Sequence, residues 1–224
     1  MAVKMVVFDM AGTTVIDKKF VATAFQNAFK KQGITLFSGE FNPLMGYEKK
    51  LAIRTMLERR GADADNSVVE TIYKDFTEEM INFYEYSPEV NPAPGAEDVF
   101  QQLKEKSVTV TLNTGFPKNI ANVIVNRFQW VKKGLIDDFI ASDEVKKGRP
   151  YPFMIEQLMY RAGVDDPMQV AKVGDTAVDI EEGKNVGCSY IIAITTGAYK
   201  SPDLENSHPT HIVDSLLEIP SIIL

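Results

Sequence analysis

The chain is poor in cysteine and histidine, since its 224 residues include one cysteine and two histidines. A single cysteine excludes an internal disulfide and is compatible with a reducing compartment. Cys188 lies in an apolar stretch, which predicts a small, buried side chain. His208 and His211 have no acidic or sulfur-containing partner at the spacing of a metal site, so a loop position is favoured over metal binding.

Positive charge is scarce as well, because 24 Lys and Arg residues face 31 Asp and Glu residues, for a net charge of −7. Nonspecific nucleic-acid binding needs a basic face, which this balance argues against. No apolar run approaches the roughly 18 to 20 residues that cross a membrane. Hydrophobic residues make up 45% of the chain, enough for a substantial core. We therefore expect a soluble, cytoplasmic protein that binds neither nucleic acid nor membranes.

Two hydrophobic patterns divide the chain. After an apolar strand that ends at Asp9, apolar residues recur at helical spacing over residues 21–29, 48–60 and 67–86, with no strand between them. Three successive helices do not fit alternating β–α units, so they predict a small helical domain at residues 17–89. The proline- and glycine-rich segment 88–95 predicts the returning linker.

From residue 96 onward, helices alternate with short apolar strands. These strands are predicted at residues 108–112, 138–141, 170–173, 189–194 and 211–213. The alternation predicts an α/β fold with a doubly wound parallel sheet, built from residues 1–16 and 90–224. Ligands of such sheets lie beyond the carboxyl ends of the strands, so functional side chains are expected there.

Asp9 ends the first strand and precedes a Gly-Thr-Thr turn, which delivers a carboxylate to the expected ligand site. On this segment alone, an aspartate that caps a turn is equally possible. Other chemically capable residues lie where later strands end or helices begin: Thr114, Arg149, Asp175 and Asp179. Taken singly, Asp179 also fits an acid that offsets a helix dipole, and Arg149 fits a surface charge.

Together these groups resemble the four sequence motifs of the haloacid dehalogenase superfamily, with the helical insert in the position of a C1-type cap. The resemblance extends over nearly the whole chain. It implies a hydrolase in which Asp9 attacks phosphorus, forms an aspartyl-phosphate and uses Mg²⁺ as cofactor. The implied metal ligands are Asp9, the backbone carbonyl of Ala11, Asp175 and, directly or through water, Asp179.

The chemistry of these residue types fits those roles. A carboxylate can form an acyl phosphate, which divides one difficult displacement into two easier ones. Converging acidic groups repel one another, and a hard divalent cation relieves that repulsion. We expect the phosphoryl oxygens of a small phosphorylated or phosphonate substrate to be bound by Thr13, Thr114, Gly115 and Arg149.

Ala11 occupies an informative position. Most phosphatases of the superfamily carry a second aspartate two residues after the nucleophile, where it protonates the leaving oxygen. Alanine cannot do so, and the phosphonoacetaldehyde hydrolase family carries alanine there. Residues 9–15, 148–152 and 173–176 are similar to motifs of that family. Its members cleave a carbon–phosphorus bond after a cap lysine forms a Schiff base with the substrate aldehyde, so no acid is needed at an ester oxygen.

Residues 45–49 (MGYEK) match the cap segment of that family, which implies Lys49 as the Schiff-base lysine and Met45 and Gly46 as substrate contacts. Helical spacing places Lys49 on one face with Ala52 and Ile53, so partial desolvation would favour the neutral amine. Without the resemblance, a lysine that snorkels from a helix start is the simpler interpretation.

Three positions depart from that family. Ala52 replaces a histidine, Phe116 replaces a tyrosine, and Lys19 falls near a small residue of the first linker. The sequence therefore also allows a phosphatase of a small phosphate monoester, a hydrolase of another phosphonate or, less favourably, a non-catalytic protein that binds a phospho-ligand. Apolar residues expected on the cap surface add the prediction of a homodimer that pairs through the cap.

Overall fold

A computed structural model describes residues 2–224. Its centre is one parallel sheet of six strands in the order β3-β2-β1-β4-β5-β6. The strands are β1 (Met5–Asp9), β2 (Thr109–Thr114), β3 (Asp138–Ala141), β4 (Val170–Gly174), β5 (Tyr190–Ile194) and β6 (His211–Val213). The predicted doubly wound α/β fold is confirmed, with strand bounds within one residue or two of those expected.

Ten α-helices accompany the sheet in the described chain. Four form the insert after β1: α1 (Phe20–Lys31), α2 (Ser38–Phe41), α3 (Lys49–Arg59) and α4 (Asn66–Tyr86). The others are α5 (Ala96–Glu105), α6 (Lys118–Phe128), α7 (Phe153–Ala162), α8 (Ala177–Val186), α9 (Ser201–Glu205) and α10 (Ile219–Ile223). The three long insert helices were predicted, whereas the four- and five-residue helices α2, α9 and α10 are too short for periodicity to reveal.

Strand β1 is buried along its whole length and is paired on both sides. Its Met5 lies opposite Thr109 of β2 and Val170 of β4. A central parallel strand is covered by helices on both faces, which explains its uninterrupted apolar sequence. The only charge in this strand, on Asp9, comes where the strand leaves the core.

The connecting segments and helix α4 help to hold the helical insert to the sheet domain. The two connecting segments run side by side, with the Ile16 amide donating to Asn91 and the Ala93 amide donating to Thr14. Helix α4 also packs on α6, where the Arg127 guanidinium donates to the carbonyls of Tyr84, Glu85 and Ser87 at the end of α4. The division at residues 17 and 89 stays a prediction. Across residues 2–224, no helix combines the length and apolar character that a membrane span requires.

Candidate active site

Five of the predicted site residues meet at the carboxyl edge of the sheet. Asp9 and Thr114 are the last residues of β1 and β2, and Asp175 directly follows β4. These strands are neighbours in the parallel sheet, so their ends lie side by side. Arg149 reaches the same place from the loop before α7, and Asp179 from the first turn of α8. The interpretation of Arg149 as a surface charge is therefore wrong, since it is 1% exposed.

The Arg149 guanidinium is bound by protein groups on every side. Its Nη1 lies 2.6 Å from Asp9 Oδ1 and 2.9 Å from Asp179 Oδ1, and its Nε donates to Glu182 at 3.1 Å. Its Nη2 donates to the carbonyl and side-chain oxygens of Asn113. Burial alone would lower the pKa of Arg149, but the surrounding carboxylates raise it. Arg149 therefore stays charged and fixes one oxygen of Asp9.

The sequence did not reveal three partners in this network: Asn113, Lys172 and Glu182. Lys172 lies in the middle of buried β4, and its Nζ is 2.7 Å from Asn113 Oδ1 and 2.9 Å from Asp179 Oδ1. Glu182 accepts two hydrogen bonds from the Asn113 amide. A lysine inside an apolar strand was the available signal, because a buried cation needs acidic partners.

Asp175 has a different environment from Asp179. It accepts hydrogen bonds from the Thr13 hydroxyl (3.1 Å) and the Ala198 amide (2.7 Å). Burial, Asp9 and Asp179 together raise its pKa well above the ordinary value. The pKa of Asp179 is lowered, because Arg149 and Lys172 outweigh its burial. Asp175 thus carries the least compensated negative charge of the site.

The uncompensated negative charge of Asp175 fits a divalent cation held between Asp9 and Asp175. Burial raises the pKa of Asp9 despite the nearby Arg149, and a hard cation would relieve the repulsion of the two carboxylates. Within residues 2–224, no group of three His, Cys, Asp or Glu side chains is already arranged as a ligand cluster. Asp179 has its oxygens beside Arg149, Lys172 and Thr176, which favours its contact with a metal through water.

The turn after β1 positions Asp175 rather than the substrate. The Thr13 hydroxyl donates to Asp175, and the Thr13 side chain is fully buried behind it. Gly12 has a φ of +93°, and a Cβ atom there would lie 2.5 Å from Asp175 Oδ2. The pocket described below is lined by Thr114 and Gly115 but by neither Thr13 nor Arg149, so of the four predicted phosphate-binding residues the structure brings only Thr114 and Gly115 to it.

A narrow pocket lies between the sheet edge and the insert. The sheet domain contributes a first set of lining residues, among them Asp9, Ala11, Thr114, Gly115, Phe116 and Asp175. The insert and its linker contribute Asp17, Val21, Met45, Gly46 and Lys49. The insert therefore covers the candidate nucleophile as a cap, and the predicted cap residues reach the pocket.

Two glycines allow the cap to approach this closely. A Cβ atom on Gly46, whose φ is +85°, would lie 2.5 Å from Thr176 Oγ1. A Cβ atom on Gly115 would lie 2.4 Å from the carbonyl oxygen of Gly46 and 2.5 Å from that of Tyr47. Backbone of the cap thus rests directly on the backbone that follows β2.

The Gly115→Ala variant is expected to lose about 10²-fold in kcat/KM, because its methyl group would hold the cap away from the reacting atoms. Its thermal midpoint should fall as well, because the clash is with cap backbone, which can yield only if the cap moves. Steady-state kinetics and thermal melts would measure both. Gly39→Ala, where a Cβ atom meets open space, is the control. Wild-type kcat/KM in Gly115→Ala would contradict the need for this contact.

Lys49, the first residue of α3, is 3% exposed. Its Nζ donates to the Tyr47 carbonyl at 3.0 Å and lies 5.0 Å from the ring centre of Phe116. Burial lowers the pKa of Lys49 to about 8, although Asp9 opposes this shift. The structure therefore excludes a snorkelling lysine. Ala52 lies buried on the next turn of α3, and no imidazole stands there.

The chain is similar to known proteins along most of its length. A family model described as haloacid dehalogenase-like hydrolase matches residues 6–193. The phosphonoacetaldehyde hydrolase of Bacillus cereus (strain B4264) is 31% identical over 199 residues, which are 84% of this chain and 74% of that protein.

Two solved structures share the fold. A phosphonoacetaldehyde hydrolase-like protein from Oleispira antarctica has a TM-score of 0.87 at 21% identity, over 100% of this chain and 92% of that one. A predicted phosphoglycolate phosphatase from Haemophilus somnus has a TM-score of 0.80 at 18% identity, over 99% and 98% of the two chains.

Proposed function

Since the chain belongs to the haloacid dehalogenase-like hydrolases, we propose that it hydrolyses the carbon–phosphorus bond of a small phosphonate aldehyde such as phosphonoacetaldehyde. The observation that carries this proposal is the buried amine of Lys49 in the same pocket as the Asp9 carboxylate. Such a pocket can activate both ends of one small molecule. The name of the relative from Bacillus cereus agrees with this substrate class.

At the phosphorus end, Asp9 is the proposed nucleophile. Arg149 fixes its Oδ1, and Asp9 lines the pocket beside Thr114 and Gly115, which supply a hydroxyl and a backbone N–H for phosphoryl oxygens. Asp9, the Ala11 carbonyl and Asp175, with Asp179 through water, are the proposed holders of Mg²⁺. When bound, this ion would shield Asp9 from the negative charge of the substrate.

At the carbon end, Lys49 is the proposed Schiff-base residue. A pKa of about 8 leaves a useful fraction of its amine neutral near physiological pH. The amine adds to the aldehyde carbon, and loss of water gives an imine that can accept the electrons of the breaking carbon–phosphorus bond. No acid is then needed at the leaving carbon, which is consistent with alanine at position 11.

Borohydride reduction in the presence of the aldehyde should attach the substrate carbon chain to Lys49. Lys49→Arg should abolish this adduct and lower phosphate release by about 10³-fold, because a guanidinium stays protonated. The rate of adduct formation should rise with pH up to about 8 and then level off, as the neutral amine forms. Peptide mass spectrometry and phosphate release would measure these effects.

Lys50→Arg is the matched control, since the adjacent Lys50 pairs with Glu70 at the surface and should keep full activity. Turnover of the phosphonate that survives Lys49→Arg would exclude the Schiff-base role.

A phosphatase of small phosphate monoesters is the second candidate. It is favoured by Ala52 and Phe116 beside Lys49, since neither side chain can transfer a proton. A panel of sugar and nucleotide phosphates would test this activity by phosphate release. The activity is established if release is lost in Asp9→Asn and retained in Lys49→Arg. Pairing of two copies through the cap stays a separate prediction.

A further inference from the structure

Asp17 is a carboxylate of the pocket that the proposed reaction has not yet used. It lies in the linker between β1 and α1 and lines the pocket with Asp9 and Lys49. Its Oδ1 accepts hydrogen bonds from the amides of Phe20 (2.7 Å) and Val21 (3.4 Å). No group of residues 2–224 forms a hydrogen bond with its Oδ2. The helix start thus holds one oxygen in place and leaves the other available.

Charged and titratable groups face Asp17 from several elements. Lys49 of α3 and Tyr84 of α4 both interact with it electrostatically. Lys18, Lys19 and Lys200 share a wider cleft with it at the mouth of the pocket. Burial raises the pKa of Asp17, and its two backbone hydrogen bonds and Lys49 only partly oppose this shift. Asp17 therefore holds a proton at higher pH than a surface aspartate does.

Imine formation on Lys49 needs such a group. The oxygen of the aldehyde must leave as water, which requires a proton, and the same proton must return when the imine is hydrolysed. Ala11, Ala52 and Phe116 line or border the pocket without an exchangeable side-chain proton. We propose that Asp17 is the acid–base residue that transfers protons during formation and hydrolysis of the Lys49 imine. This proposal rests on the Schiff-base function proposed above.

Asp17 and water together complete the proton and electron balance. The neutral Lys49 amine adds to the carbonyl carbon, and the ammonium proton of the adduct moves to the former carbonyl oxygen to give a hydroxyl. Protonated Asp17 donates to this hydroxyl, the carbon–oxygen bond breaks, and water leaves while the nitrogen lone pair forms the carbon–nitrogen double bond. The carbon–phosphorus bond then breaks as the phosphoryl group passes to Asp9, and the enamine carbon takes a proton from solvent water. A second water adds to the iminium carbon and returns its proton to Asp17. The hydroxyl proton of this adduct moves to nitrogen, and the carbon–nitrogen bond breaks to release the aldehyde product and the neutral Lys49 amine. Hydrolysis of the aspartyl-phosphate gives a proton back to the solvent.

A probe without phosphorus tests this proposal apart from the hydrolysis. Acetaldehyde should form an imine with Lys49, and cyanoborohydride should trap it at a rate that mass spectrometry can follow. Asp17→Asn keeps an oxygen acceptor for the amides of Phe20 and Val21 but cannot transfer the proton. In this variant, the rate at which acetaldehyde is trapped on Lys49 is expected to fall about 10²-fold. The rate should also lose the pH dependence that a carboxylic acid gives. Its thermal midpoint should stay close to that of wild type.

Asp17→Ala separates a structural role from a chemical one. If Asp17 only caps α1, the Asp17→Asn variant should form the acetaldehyde adduct at the wild-type rate, and the Asp17→Ala variant should lose stability. This result would overturn the proposal. If Asp17 transfers protons, both variants should form the acetaldehyde adduct equally slowly, although only Asp17→Ala loses the helix cap. Asp166→Asn is the matched control, since Asp166 accepts the Met168 amide (2.9 Å) at a helical turn outside the pocket. Absence of any Lys49 adduct in wild type would instead refute the Schiff-base function itself.

Discussion

Replacing Asp9 with asparagine is expected to slow phosphate release at least about 10⁴-fold, with phosphonates and phosphate esters alike. Asp9 is the carboxylate that both lines the pocket and stands at the end of the central strand. An amide keeps the shape of the side chain but is a poor nucleophile toward phosphorus. It also removes one of the two charges that are proposed to hold the metal.

The measurement is phosphate release together with acid-quenched phosphoryl enzyme, which should be detectable in wild type and absent in Asp9→Asn. Asp143→Asn is a suitable control, because Asp143 lies just beyond β3 at the same sheet edge and accepts the Lys118 amide outside the pocket. Turnover of Asp9→Asn within about tenfold of wild type would require a different nucleophile.

The sheet could be predicted from sequence because burial imposes a local signature on each strand. β1 and β4 are buried on both faces, and both appear as short, nearly uninterrupted apolar runs. Parallel order then places all strand ends at one edge without any knowledge of side-chain contacts. Asp9, Thr114 and Asp175 were found in this way, since each comes where an apolar run stops.

Contacts that depend on register and on cap orientation leave no such local signature. Lys172 meets Asn113 because β4, β1 and β2 align in one particular register, and it meets Glu182 because α8 packs over β4. Asp17 has the sequence pattern of an ordinary helix cap, and its place in the pocket depends on how the insert packs over the sheet edge. The approach of Gly46 to Gly115 likewise joins segments that are distant in sequence.

Replacing Arg149 with methionine is expected to destabilise the fold by roughly 3–5 kcal/mol, because it leaves several buried carboxylates without their cation. Asp9, Asp179 and Glu182 all lie within 3.1 Å of the guanidinium, which is itself buried. Methionine fills part of the volume but offers no positive charge. Turnover should be lost as well, since Asp9 would no longer be held in place.

The loss of unfolding free energy in Arg149→Met should depend on pH. In wild type, Arg149 and Lys172 lower the pKa of Asp179, so this carboxylate contributes stability at neutral pH that is lost as pH falls through its range. In the variant, the carboxylates that lost Arg149 acquire higher pKa values and are tolerated better once protonated. The difference between the two proteins should therefore be largest at neutral pH and shrink on acidification.

Urea unfolding at neutral and mildly acidic pH would measure this difference. Arg161→Met makes the same substitution at a half-exposed ion pair with Asp138 and should cost no more than about 1 kcal/mol. Two results would show that the buried carboxylates do not depend on Arg149. The first is a loss of unfolding free energy in Arg149→Met that is as small as that in Arg161→Met. The second is a loss that grows on acidification. Because the same guanidinium holds Asp9, we expect Arg149→Met to lose both unfolding free energy and turnover.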